Sequence, residues 1–76
     1  MKEVLEIIAK ALVDSPEEVS VKEVEGEQSV ILELRVADQD MGKVIGKQGR
    51  IAKAIRTVVK AAASKENKRV VVEIIQ

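Results

Sequence analysis

The sequence predicts an α+β fold in which a three-stranded mixed sheet carries helices packed on one face, in the order αββααβ. Apolar residues recur at three- and four-residue spacing in two segments, and they alternate with polar residues in three others. A chain of 76 residues is long enough for one small domain. Helices layered on one face of a single sheet bury every apolar stripe. We therefore expect residues 1–76 to form a single domain.

The first half of the chain predicts a helix followed by a β-hairpin. Residues 1–13 show helical periodicity, and Ser15 before Pro16 with Glu18 matches a capping box, which predicts one short helical turn. Residues 19–25 and 29–36 alternate as strands around a turn at Gly26, which predicts an antiparallel hairpin. Val24 is out of phase with the alternation, which predicts a bulge or an early strand end.

The second half predicts two helices and a last strand. Asp38 suits the N-cap of a short helix over residues 39–45, Asp40 adds negative charge to its first turn, and Gly46 ends it. A longer helix is predicted over residues 49–65 with Asn67 as its C-terminal cap, and a strand over 69–76. The apolar stripe predicted to face the core from the longer helix consists of Ile51, Ala54, Ile55, Val58 and Ala62. Lys53, Arg56 and Lys60 lie on another face of the same helix.

The junction between these two helices is the most informative stretch of the chain. Gly46 and Gly49 bracket a turn, since glycine adopts backbone angles closed to residues with a Cβ. The second glycine opens the longer helix, whose free N–H groups and positive dipole end favour an anion. Lys47 and Arg50 lie beside that position. The residues alone therefore predict a phosphate-binding loop, with a plain helix–helix turn as the alternative.

Charge is segregated along the chain although the net charge is zero. Residues 1–40 carry a net charge of −7, whereas residues 41–69 carry +8. The glycine loop lies within the basic segment, which is the field that a ligand meets at short range. The alternative is that the two halves neutralise each other across one small domain.

Composition excludes several functional classes. There is no Cys, no His and no aromatic residue, so we expect no disulfide, no metal site, no cofactor and no enzymatic activity. Asp38 and Asp40 are close enough in sequence to attract a cation, but helix capping accounts for them. No apolar run approaches the roughly 20 residues needed to cross a bilayer. We expect a soluble, cytoplasmic protein.

The stretch over residues 44–55 reads VIGKQGRIAKAI. It resembles the signature of KH domains, in which two apolar residues precede Gly-x-x-Gly and two isoleucines follow. The element order is similar to that of type II, or prokaryotic, KH domains over the whole chain. More narrowly, the chain resembles the small bacterial stand-alone KH proteins of the KhpA type.

The resemblance implies a single-stranded RNA-binding protein, such as a small RNA chaperone or post-transcriptional regulator. KH domains clamp about four nucleotides with the glycine loop, so Gly46 and Gly49 would allow close approach of the backbone, with Lys47 and Gln48 facing the phosphates. The other residues implied at the site are the aliphatic Val44, Ile45 and Ile51 and the flanking charges Lys43, Arg50 and Lys53. The resemblance also implies a homodimer, or pairing with a second KH-containing RNA-binding protein.

An alternative function is a protein-interaction or dimerisation module with weak RNA binding or none. Ile31, Val71 and Ile75 are predicted on the sheet face that the helices leave open. A nucleotide-binding P-loop is excluded for residues 42–48, because the glycine spacing is one residue short and Gln48 replaces the magnesium-binding hydroxyl.

Overall fold

The computed structural model describes residues 2–63 and 68–75. Its helices and strands follow the predicted order: α1 (Lys2–Leu12), β1 (Ser20–Glu25), β2 (Ser29–Arg35), α2 (Met41–Ile45), α3 (Arg50–Ala63) and β3 (Arg69–Ile75). Three short 3₁₀ turns, Pro16–Glu18, Asp38–Asp40 and Lys47–Gly49, connect them. The predicted end of the longer helix at Lys65, its cap at Asn67 and the terminal residues Met1 and Gln76 lie outside the described residues.

The three strands form one mixed sheet in the order β1-β2-β3. β1 and β2 pair antiparallel, with Val21 opposite Leu34. β3 pairs parallel with β2. The α+β fold predicted from the sequence is therefore confirmed. The bulge or early strand end predicted at Val24 is wrong, because β1 continues to Glu25 in an unbroken register and Val24 lies opposite Ile31.

The core lies between the helices and one sheet face. The buried strand residues are Val21, Val30, Leu32, Leu34, Val70 and Val72. Leu5 and Ala9 of α1 and Val44 of α2 pack against them.

The stripe predicted to bury α3 is displaced around the helix. The buried residues of α3 are Ala52, Ile55, Val59 and Ala63. Ala54, Val58 and Ala62 of the predicted stripe are exposed instead. The periodicity was ambiguous because apolar residues occupy more than one face of this helix, and only contact with the sheet selects between the faces.

Two predicted caps are also wrong. The Asp38–Asp40 turn begins after Ala37, and neither it nor α2 has a side-chain cap. The turn predicted after Ser15 is present at Pro16–Glu18, but the Ser15 side chain makes no capping bond. Its first turn is closed by the backbone, since Glu18 N donates to Ser15 O at 3.0 Å. No helix within the described residues is long and apolar enough to span a membrane.

Candidate nucleic-acid interface

The loop between α2 and α3 depends on a glycine at position 46. Gly46 has φ 75° and ψ 174°, a conformation that is readily accessible only without a Cβ. A Cβ at this position would lie 2.5 Å from Cγ1 of Ile51. Ile51 therefore packs directly against the start of the loop and holds it from the side of the core.

The last two residues of the loop are left-handed. Gln48 has φ 59° and Gly49 has φ 74°, and Gly49 N donates to Gly46 O at 3.2 Å. Nothing lies within 4 Å of a Cβ placed on Gly49. The backbone at Gly49 is thus open on that side, and an extended ligand can approach it closely. Gln48 is the only described non-glycine residue with positive φ, and such strain concentrates at functional sites.

Three polar side chains flank the open backbone at Gly49. Lys47, Gln48 and Arg50 are exposed, and Nη2 of Arg50 donates to Oε1 of Gln48 at 3.4 Å. Arg50 is also the first residue of the 14-residue helix α3, and its backbone N–H donates to Lys47 O. The backbone amides of Gly46, Gly49 and Arg50 are therefore engaged within the protein. Positive charge and the positive end of the α3 dipole still converge on the loop, which is a favourable arrangement for a phosphate.

The other predicted residues take different positions. Val44 is fully buried, so it supports the site from within the core, and half-buried Ile45 packs against the same core. Lys53 is exposed on α3. Nζ of Lys43 donates to Oδ2 of Asp14 and lies 3.9 Å from Oδ1 of Asp40. The hydrogen bond from Lys43 to Asp14 raises the pKa of Lys43, so this cation is directed towards carboxylates.

A basic flank of α3 extends the site beyond the glycine loop. We use "basic flank" for Lys53, Arg56 and Lys60, which are exposed and recur on one side of the helix. Nε of Arg56 donates to the backbone O of Val72 at 3.2 Å. This bond places the basic flank beside the free edge of β3, because β3 is the outermost strand of the sheet.

A cavity of about 270 Å³ lies between the end of α3 and the start of β3, lined by Lys60, Ala63, Lys68, Arg69 and Val70. Arg56 and Lys60 were predicted on a basic face of the helix. Neither they nor Lys68 and Arg69 were predicted to belong to the binding site. The missing information was the position of β3 relative to α3. That position depends on a parallel pairing that no local pattern specifies.

Ion pairs neutralise only part of the basic segment. Lys43 pairs with Asp14, and Lys68 pairs with Glu25. Among the described residues, no ion pair engages the basic flank, Lys47 or Arg50. Likewise, no cluster of three Asp or Glu side chains suitable for a metal occurs in the described ranges. Within the described part of the basic segment, the cations without an ion pair are Lys47, Arg50, Arg69 and the three residues of the basic flank.

Comparison with known proteins gives a match over nearly the whole chain. The family model for the KH domain of KhpA and KhpB matches residues 2–74. This chain belongs to the KhpA/KhpB family of KH domains. A relative from Clostridium acetobutylicum, named RNA-binding protein KhpA, is 80% identical over 75 residues and covers 99% of this chain and 100% of the relative. Another KhpA, from Aquifex aeolicus, is 53% identical and covers 100% of this chain and 96% of the relative.

Solved structures share the KhpA/KhpB fold at low identity. Era of Aquifex aeolicus bound to GDP and aluminium fluoride has a TM-score of 0.68 at 20% identity, covering 96% of this chain and 28% of Era. Era in complex with part of 16S ribosomal RNA has a TM-score of 0.65 at 21% identity, again covering 96% and 28%. This chain therefore spans less than a third of those proteins, and the likeness concerns the fold.

Proposed function

We propose that this protein is a single-stranded RNA-binding protein that acts as a small RNA chaperone or post-transcriptional regulator. The observation that carries the proposal is the loop from Gly46 to Gly49 at the N-terminus of α3, in which Gln48 and Gly49 have positive φ and the space beside Gly49 is open. The names of its relatives from Clostridium acetobutylicum and Aquifex aeolicus support it.

The geometry divides the binding work between backbone and side chains. The open backbone beside Gly49 and the dipole at the N-terminus of α3 favour a phosphate, and Lys47 and Arg50 supply charge around it. The strand then follows the basic flank along α3 towards β3. Because the chain has no aromatic residue, bases pack on aliphatic side chains such as Ile45 instead of stacking on rings.

Charge reversal in the loop tests this function. The double substitution Lys47→Asp and Gln48→Asp is expected to weaken binding to a short single-stranded RNA roughly tenfold or more, because it replaces attraction with repulsion at the phosphates. Affinity is measured by fluorescence anisotropy, and circular dichroism reports the fold. A matched single-stranded DNA measures how far the loop distinguishes the sugar.

The control makes the same change in charge far from the loop. Lys22→Asp combined with Ser20→Asp alters two exposed residues of β1 on the sheet face opposite the helices. This variant is expected to bind RNA within about twofold of the wild type, because distant surface charges are screened at physiological salt. Equal RNA affinity in the folded loop variant and the wild type would refute the proposal.

We also propose that the protein self-associates through an apolar groove between α1 and α3. The groove is about 390 Å³ in volume, and its lining is aliphatic apart from Arg50: Ile8, Leu12, Ile51, Ala54, Ile55 and Val58. Val58 is 50% exposed, and Ala54 lies one helical turn before it. A protruding side chain and a small one on the same surface suit a two-fold contact, in which each Val58 packs over Ala54 of a second copy.

Two single substitutions separate this groove from the outer sheet face. Val58→Lys is expected to give a monomer in sedimentation equilibrium, whereas Val71→Lys on the outer face is expected to leave the dimer intact. If Val58→Lys remains a dimer and Val71→Lys is a monomer, self-association takes place through the outer sheet face with Ile31, Val71 and Ile75. If the wild type is monomeric at high concentration but binds another KH domain, the occupant of the groove is that KH domain and not a second copy of this chain. Dimerisation would present two RNA loops and raise avidity.

A further inference from the structure

Asp40 is the one charged side chain that is buried among the described residues, with no exposed surface. A buried carboxylate is costly unless hydrogen bonds and opposite charge compensate it. Oδ1 accepts a hydrogen bond from Asp14 N at 3.2 Å, and Oδ2 accepts one from Ser15 N at 3.0 Å. Nζ of Lys43 lies 3.9 Å from Oδ1. These two hydrogen bonds and the nearby lysine offset the cost of burying the Asp40 carboxylate.

The partners of Asp40 belong to a different part of the chain. Although Asp40 precedes α2, its side chain does not cap that helix. It binds instead the backbone that follows α1, 25 and 26 residues earlier. The carboxylate therefore fixes the start of α2 against the end of α1.

The short helix α2 needs such an anchor. It has five residues, far fewer than the roughly 12 that an isolated helix needs to persist in water. Its C-terminal end is continuous with the loop, since Gly46 N donates to Gly42 O at 2.8 Å. Any displacement of α2 therefore displaces Gly46 and the backbone that follows.

We propose that Asp40 is a positioning residue for the Gly46–Gly49 loop, acting through its hydrogen bonds to the Asp14 and Ser15 amides. This inference rests on the proposed RNA-binding function. A binding site must be held within about 0.5 Å of its productive geometry, and the Asp40 carboxylate supplies that constraint at one end of α2. Buried Val44 and the packing of Ile51 against Gly46 supply the rest.

The test relies on electrostatic and positioning effects that change RNA affinity in opposite directions. Asp40→Asn keeps the shape of the side chain but turns an amide NH₂ towards backbone N–H donors, which breaks one bond of the clamp. Asp38→Asn is the matched control, because Asp38 lies in the same turn and is exposed. Loss of a negative charge near an RNA site should strengthen binding or leave it unchanged. We expect that result for Asp38→Asn and an approximately tenfold weaker affinity for Asp40→Asn.

Two further readouts separate positioning from general destabilisation. The slope of log affinity against log salt should become shallower by about one in Asp40→Asn, because a displaced loop contacts fewer phosphates. Amide NMR shifts of residues 46–49 should change in free Asp40→Asn and remain unchanged in Asp38→Asn. Reduced stability with wild-type affinity, slope and loop shifts would overturn the proposal.

The remaining outcomes are also decisive. If Asp40→Asn does not fold, Asp40→Ser provides a second variant that retains one acceptor; failure of both to fold would show that Asp40 maintains the whole domain and would overturn the proposal. If the wild type does not bind RNA, the proposed function fails. The NMR shifts of the loop would then still support or refute the positioning role of Asp40.

Discussion

Gly46 and Gly49 have nearly identical φ angles but opposite surroundings. Ile51 fills the position of a Cβ on Gly46, whereas the space beside Gly49 is empty. Gly46 is therefore required by packing and by conformation, and Gly49 by conformation alone. The empty side of Gly49 is the side on which the phosphate backbone is proposed to lie.

Three alanine substitutions should separate these effects. Gly49→Ala is expected to cost about 1–2 kcal/mol of unfolding free energy from left-handed strain alone. Gly46→Ala should cost more, because the overlap with Ile51 adds roughly 1–3 kcal/mol. Gly42→Ala, in α2 with free space around it, should stabilise the protein by about 0.5–1 kcal/mol. Urea unfolding measures all three, and equal losses for Gly46 and Gly49 would contradict the packing argument.

At the scale of single residues, the sequence predicted the position of the glycine loop but not its backbone angles or the contacts that support it. The spacing of Gly46 and Gly49 indicated a turn, because glycine signals backbone freedom locally. The positive φ of Gln48 and the burial of Asp40 were not predictable, since both depend on contacts with distant residues. Asp40 in particular was expected to act on its own helix, and its actual partners follow α1.

At the scale of elements, α3 has three distinct faces. One is buried under the sheet, one lines the apolar groove beside α1, and the third is the basic flank beside β3. The sequence identified the basic flank correctly as a separate face. It assigned part of the groove face to the core, because alanine and valine are compatible with either environment.

Adjacent valines test the corrected orientation of α3. Val59 is fully buried and Val58 is 50% exposed. Val59→Ala should therefore cost roughly 2 kcal/mol in the free energy of unfolding. Val58→Ala should change it by less than about 0.5 kcal/mol. Chemical denaturation of the two variants, at a concentration where the protein is monomeric, gives the comparison; a larger loss for Val58 would support the stripe first expected from the sequence.

The Lys68–Glu25 ion pair joins the start of β3 to the end of β1. The hydrogen bond and the charge of Lys68 hold the pKa of Glu25 below its usual value of 4.5. A carboxylate with a lowered folded pKa stabilises the protein above its unfolded pKa, and this contribution disappears as pH falls through the folded pKa. Lys68→Met should raise the titration midpoint of Glu25 measured by carboxyl NMR. Lys10→Met, an exposed lysine of α1, should leave that midpoint unchanged.

At the scale of the whole molecule, a neutral chain presents a basic surface. The ion pairs that Asp14 and Glu25 form use two lysines of the basic segment. Both interpretations of the charge segregation therefore apply in part. The loop and the basic flank retain their charge.

The salt dependence of RNA affinity should report the positive charge of this surface. If two to four phosphates are neutralised, log affinity should fall with log salt at a slope of roughly −1.5 to −3. Arg56→Gln should reduce the slope by about one if Arg56 contacts a phosphate. Lys2→Gln, on the far end of α1, should not alter it. A slope near zero for the wild type would contradict a phosphate-based mode of binding.

The fold was more predictable than the site because most of its determinants are local. Alternation in β2 and the short turn at Gly26 determine the hairpin, and helical periodicity determines α1 and α3. The sequence did not place β3 beside β2, since parallel pairing leaves no turn signal. The surroundings of Arg56 and the cavity beside Arg69 depend on that placement, which explains why neither was included in the predicted site.

The parallel pairing of β2 with β3 also has a kinetic consequence. Partners such as Ser29 and Arg69 are separated in sequence by all of α2, the glycine loop and α3. Closing so long a connection is slow compared with forming the hairpin. The β3 side of the proposed RNA-binding surface is thus assembled only when the last strand docks. During refolding, full RNA affinity should therefore emerge with β3 docking, after the hairpin and helices have formed.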